Sequence, residues 1–114
     1  MNRRYRLKSS ADFRRVRRTG KSYAHPLVIL IVAPNMLDKS RCGFVAGKAM
    51  GSAVVRNRAK RRLRAALQSL IKEIPAGWDI ILIARPLLLK APWDELKEAI
   101  ANLLKRANLI MVKI

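Results

Sequence analysis

Acid is what this chain has least of: 25 Lys and Arg stand against 7 Asp and Glu, a formal charge of +18 over 114 residues. A two-metal hydrolytic centre needs several converging carboxylates. Here only Asp12 and Asp38 fall within residues 1–64, and residues 39–72 contain no acid. Histidine is scarcer still. His25 is the one copy, and Pro26 follows it at the start of an expected strand, a setting for a structural side chain rather than a general base. No independent active site is expected. The single Cys42 rules out an intramolecular disulfide, and the absence of a Cys/His cluster argues against zinc. Cys42 reads as a small buried thiol in a strand. The longest apolar run, residues 27–33, is far too short to span a bilayer.

What the chain does have is enough apolar residue, 51 %, to build a core, so wholesale disorder is not expected. The length fits one domain over residues 1–114. The positive charge is lopsided: residues 1–64 hold 18 Lys and Arg against two acids, and residues 65–114 hold 7 against 5. One strongly positive face follows, and nucleic acid is the commonest partner for such a face. An anionic membrane surface is the alternative, but the hydrophobes opposite the arginines are needed for the core. Residues 1–21 are Arg-rich and nearly free of acid, as a transit peptide would be. Against that, Phe13 and Val16 at i, i+3, between Ser10 and Gly20, fit a short capped helix of the fold.

Hydrophobic spacing predicts a helix over residues 10–18, strands over 27–33 and 41–46, a helix over 53–73, a strand over 79–84 and a helix over 93–107. A short last strand over 109–112 is also predicted. The order αββαβα is that of an α+β fold, a two-layer sandwich of helices on a small sheet. In the last helix Asp94, Glu95 and Glu98 come first and Lys105 and Arg106 last, matching the helix dipole. Asp12 is explained by its place near a helix start, and Asp79 by a strand edge.

The middle helix is charged the other way. Ser52 is its expected N-cap, and Val55, Ala59, Leu63, Ala66 and Leu70 are its buried face. Arg56, Arg58, Lys60, Arg61, Arg62 and Arg64 crowd its opening turns, against both the dipole and their own repulsion. Stability does not ask for this pattern, whereas a dense external anion does. Arginine's planar fork suits phosphate oxygens and guanine edges, and Asn57 among them donates and accepts. Lys48, at a strand end, adds a phosphate contact. The stretch from Gly43 to Lys48 is not a nucleotide-binding loop: it is one residue short between glycines, and Ala49 stands where magnesium needs a hydroxyl.

Lys48-Ala49-Met50-Gly51-Ser52-Ala53-Val54-Val55-Arg56-Asn57-Arg58-Ala59-Lys60-Arg61-Arg62-Leu63-Arg64 resembles the signature of the bacterial ribonuclease P protein subunit. Arg6-Leu7, then Asp12-Phe13 leading to Gly20, and Ile81-Leu82-Ile83-Ala84-Arg85 resemble its flanking segments. The resemblance implies a ribosomal-protein-like fold with a left-handed βαβ crossover. It implies a cytoplasmic ribonucleoprotein endonuclease that removes the 5′ leader of precursor tRNA. In it the RNA subunit carries the catalysis with Mg2+, and the protein alone binds no cofactor. The partners it implies are the ribonuclease P RNA subunit and precursor tRNA, with no membrane; it leaves self-association open. By position, Lys48, Arg56, Asn57, Arg58, Lys60, Arg61 and Arg64 would face RNA, and Phe13 would line a leader-binding cleft. Where some members carry further aromatics in that cleft, this chain has Arg17 and Ile31. That favours phosphate contact over base contact there. A structural ribosomal protein is the runner-up.

Overall fold

The computed structural model describes residues 5–110. Helix α1 (Ser10–Thr19) is capped by Ser9, one residue earlier than expected, whose Oγ accepts from the Ala11 and Asp12 amides. Asp12 in its first turn and Arg17 and Arg18 in its last complement the dipole. Strands β1 (Lys21–Ala24), β2 (Val28–Pro34), β3 (Arg41–Val45) and β4 (Trp78–Ala84) form one sheet in the order β1-β2-β4-β3. The β1–β2 and β2–β4 pairs are antiparallel, and β3–β4 is parallel. The chain crosses between the parallel strands through α2 (Ala53–Gln68), and α3 (Trp93–Arg106) follows β4.

The α+β sandwich stands, with a first strand, β1, that the sequence did not suggest. β1 escapes a hydrophobicity search because it is a four-residue edge strand that buries no residue fully. Its hairpin to β2 closes through reciprocal bonds between His25 and Val28, and His25 Nδ1 accepts from the Leu27 amide. His25 thus holds a turn. Helix α2 stops at Gln68 rather than at residue 73. Ser69 Oγ bonds the Ala66 carbonyl, the Leu70 amide turns back to Leu67, and a single 3₁₀ turn (Ile71–Glu73) completes the segment. Helix α3 ends at Arg106; past the Ala107 cap, Asn108 takes φ 61°, with the Leu109 amide reaching the Leu104 carbonyl and Leu109 buried. No strand forms at Leu109 or Ile110, and residues 111–112 of the expected last strand lie outside the described residues.

Alternation along β2 and β4 divides the core. Val28, Leu30, Val32, Ile80 and Leu82 face α2 and α3, meeting Ala59, Leu63, Ala66, Leu67, Leu96, Ile100, Leu103 and Leu104. Ile31, Ala33 and Ile81 face the other way, beneath Val16 of α1. Helix α1 covers only part of that second face. Ile29, Val45 and Ile83, paired in one row across β2, β4 and β3, stay half-buried beyond its reach.

Candidate nucleic-acid interface

Helix α2 opens without any acid. Gly51, at φ 126°, takes a backbone conformation that side chains disfavour, and Ser52 Oγ then caps the Val55 amide. Its apolar face, Ala59, Leu63, Ala66 and Leu67, is fully enclosed and holds the helix in place despite its charge. Asn57, Arg58 and Arg61 are exposed, while Arg56, Lys60 and Arg64 are half-buried toward β3. Among the described residues, the side chains of Arg56, Asn57, Arg58, Lys60 and Arg61 make no hydrogen bond or ion pair. Arg64 has only a ring beneath it, its guanidinium 5.4 Å from the Phe44 centroid. The Nε atoms of Arg6, Arg56 and Arg64 are buried and unpartnered. Burial, with Arg6 and Arg61 as charged neighbours, lowers the pKa of Arg64. Lys48 stands exposed just past β3, opening a 3₁₀ turn (Lys48–Met50).

A cavity of about 330 Å³ lies at the edge of β3, between residues 6–8 and α2. Arg6, Lys8, Lys60 and Arg64 supply its charge, and Phe13 and Phe44 its rings. Lys60, Arg64 and Phe13 are thereby brought to one place, which their separation in sequence did not disclose. Arg6, Lys8 and Phe44 are additions to the site. The larger cavity, about 640 Å³ between His25 and α3, carries Glu95 and Glu98 against the single cation Lys105 and so suits the same anion less well. Arg17 is exposed on α1. Ile31 is only 9 % exposed beneath α1. The accessible apolar floor next to Phe13's cluster is instead Ile29, Val45 and Ile83.

Other cations have partners within the fold. Asp79, which the sequence placed at a strand edge, lies wholly buried in the inner strand β4. Its Oδ1 accepts from Asn35 Nδ2 and Arg41 Nε, each at 2.9 Å. Its Oδ2 accepts from Arg41 Nη2 at 2.8 Å and from Arg15 Nη2. Burial alone would raise the Asp79 carboxyl, but the bonds from Arg41, Asn35 and Arg15 outweigh it and hold its pKa below the ordinary value. The same partnership raises Arg41. Burial, aided by Asp79, pushes the Cys42 thiol up to about 12, as suits the buried cysteine read from the sequence. On α2, Arg62 is the exception: Nη1 and Nη2 donate to the carbonyls of Leu88 and Ala91 at 2.6 and 2.7 Å, fastening the segment before α3.

Among the described residues no group of three or more His, Cys, Asp or Glu converges to hold a metal ion, and no helix is long and apolar enough to cross a membrane. The arrangement suits binding an anion rather than catalysis: arginines unpaired among the described residues, on one helix, flanked by a cavity with cations and rings.

Comparison with known proteins identifies the family. A family model described as Ribonuclease P matches residues 1–108. The chain is 44 % identical over 109 residues to the "Ribonuclease P protein component" of Herpetosiphon aurantiacus, covering 96 % of this chain and 89 % of that protein. It is 40 % identical over 111 residues to the component of the same name from Symbiobacterium thermophilum, covering 96 % of each. The solved RNase P protein of Staphylococcus aureus superimposes with a TM-score of 0.84 at 31 % identity, covering 94 % of this chain and 98 % of that one. That of Thermotoga maritima gives 0.79 at 32 % identity, covering 89 % and 96 %. The motif at Arg56-Asn57-Arg58, the α+β fold and these matches converge: the chain belongs to the bacterial ribonuclease P protein family.

Proposed function

We propose that this chain binds the catalytic RNA subunit of ribonuclease P in the cytoplasm and holds the 5′ leader of precursor tRNA, so promoting endonucleolytic removal of that leader. The observation that carries this reading is the stripe of Arg56, Arg58, Lys60 and Arg61 on α2, which meets no counter-charge among the described residues. Asn57 and Lys48 extend the same surface. Arginine forks grip phosphate oxygens two at a time, and a helix holds them in fixed register. Release of condensed counterions from the RNA supplies much of the affinity.

The leader passes the edge of β3. There the cavity offers Arg6, Lys8, Lys60 and Arg64 for phosphates, and Phe13 and Phe44 as apolar walls. A base stacked on an aromatic ring adds about 1–3 kcal/mol. Arg17 on the exposed side of α1 steers the strand by charge, and Ile31 supports the floor from below. Bond cleavage belongs to the RNA subunit. Mg2+ would be held there by RNA phosphates; among the described residues the protein brings no three carboxylates together, Asp79 is taken up by Arg15 and Arg41, and Asp94, Glu95 and Glu98 sit on α3.

Reconstitution tests the proposal. Protein mixed with the ribonuclease P RNA at low magnesium should restore leader cleavage, whereas the protein alone should cut nothing. Binding to RNA without restored cleavage would make the chain a structural RNA-binding protein. Leader-specific cutting by RNA-free protein would move the chemistry to the protein.

A further inference from the structure

We infer that Gly43 is a positioning residue: its missing side chain is the seat on which the Phe13 ring stands, and it fixes where that ring meets the leader. The inference rests on the proposed reading of Phe13 as a leader contact. A Cβ built on Gly43 would lie 2.4 Å from Phe13 Cζ, 2.7 Å from Cε1 and 3.3 Å from Cε2. All three nearest atoms belong to that one ring, so the ring is what a side chain here would meet first. The backbone gives glycine no other reason to be there, since Gly43 is absent from the positive-φ positions and lies in regular parallel pairing with Ile81.

Any side chain at position 43 forces either the helix or the ring to move, and the surroundings decide which. The residues before and after Phe13 on the clamped side of α1 are tied to the sheet. Asp12 Oδ2 accepts from Arg41 Nη1 at 3.4 Å, and Arg15 donates to Asp79 and to the Pro34 carbonyl. Val16, one turn on, is wholly buried. Arg41 and Gly43 alternate on the same face of β3, so one strand both anchors the helix and seats its ring. The helix is held by these ties, so the half-buried ring is the part that gives way, by turning about its side-chain torsions. A methyl group at position 43 therefore swings Phe13 off its place in the cavity wall and leaves the α2 stripe untouched.

Holoenzyme affinity for precursor tRNA with and without its leader reads this directly. Phe13→Leu should narrow the gap between the two substrates by about fivefold to tenfold, the low end of one aromatic stack. Gly43→Ala should narrow it by the same factor, with affinity for the leaderless body as internal reference. The double variant should lose no more than either single one, because the two act through one ring. If Phe13→Leu narrows the gap and Gly43→Ala leaves it whole, Gly43 is not the seat. Multiplying effects in the double variant would likewise overturn the inference. If Phe13→Leu itself leaves the gap whole, the leader reading of the cavity falls, and the seat falls with it. Should Gly43→Ala fail to fold, Phe13→Leu with Gly43→Ala must recover the fold, since the three atoms nearest the new methyl are all ring atoms; failure to recover would place the role of Gly43 elsewhere.

Discussion

Two arginine-rich regions of this molecule have opposite chemistry. At the corner where α1 meets β3 and β4, Arg15 and Arg41 converge on one buried carboxylate, Asp79, with Asp12 and Asn35 completing the cluster. Along α2, Arg56, Arg58 and Arg61 meet no oxygen at all among the described residues. Burying Asp79 without its partners would be costly, so the first region is explained by folding. The second opposes its own helix dipole and cannot be. A guanidinium stripe that the described fold does not pair, and that works against its helix dipole, is what the proposed RNA contact accounts for. The two regions also cooperate, because the corner fixes α1 and with it the Phe13 ring that shares a cavity with Lys60 and Arg64.

The comparison breaks most sharply at the α2 stripe. Replacing Arg56, Arg58 and Arg61 together by alanine should weaken assembly with the RNA subunit by roughly 4–6 kcal/mol, at about 1.5–3 for each charged hydrogen bond and allowing for overlap. The melting temperature should hold or rise, because repulsion and the dipole conflict are relieved. In the unsubstituted protein, the logarithm of the association constant should fall with the logarithm of salt at a slope of roughly −4 to −6, for about five to seven cations on phosphates. A melting temperature that falls while RNA affinity stays would put these arginines in the same class as Arg41.

At the other region the expected loss is of stability. Asp79→Asn removes the charge facing Arg15 and Arg41 and should cost about 2–3 kcal/mol of folding free energy, less than for a fully enclosed pair because both arginines reach solvent. RNA affinity through α2 should be retained once the protein is folded. The pH dependence gives an independent check. The folded carboxyl titrates below its ordinary value and the unfolded one near about 3.9. Its contribution is thus complete above about pH 4 and is lost as pH falls through the folded value. Urea titrations of both proteins at descending pH should show the gap between them closing below about pH 4; a constant gap would mean that the charge of Asp79 is not what stabilises the corner.

How much of this was legible in the sequence follows from range. The α2 stripe was, because residues 39–72 contain no acid and a helix places i and i+4 side by side. The long strands and α3 were, through their apolar runs and the polarity of their charges. Asp79 was misread because the arginines that justify its burial come from 38 and 64 residues away. Gly43 stood out only as part of a failed nucleotide loop, since its partner is a ring thirty residues earlier, on a helix packed against the opposite face from α2. Arg6, Lys8 and Phe44 join the site only once the chain edge is laid along β3, where the Leu7 amide bonds the Cys42 carbonyl. Local patterns report periodicity and charge, but they do not report which distant side chains share a corner.

Arg61 and Arg62 bring the comparison down to adjacent residues, where composition, helix position and side-chain length are all held constant. Arg61 points to solvent with no partner, while Arg62 spends both terminal nitrogens on the Leu88 and Ala91 carbonyls. Arg62→Ala should cost about 1.5–2 kcal/mol of stability, since two charge-assisted bonds vanish and water replaces them only in part. It should change RNA affinity little. Arg61→Ala should leave the denaturation midpoint where it is and weaken RNA binding by about 1.5–3 kcal/mol. Lysine separates charge from geometry at both sites. Arg61→Lys keeps the positive charge and so should preserve most of the affinity, whereas Arg62→Lys cannot span two carbonyls at once and should behave nearly as alanine does. Denaturant midpoints and RNA titrations on the four variants form a two-by-two test. If Arg62→Ala loses RNA affinity while its midpoint holds, Arg62 belongs to the binding stripe after all, and the division between paired and unpaired arginines no longer predicts function on this helix.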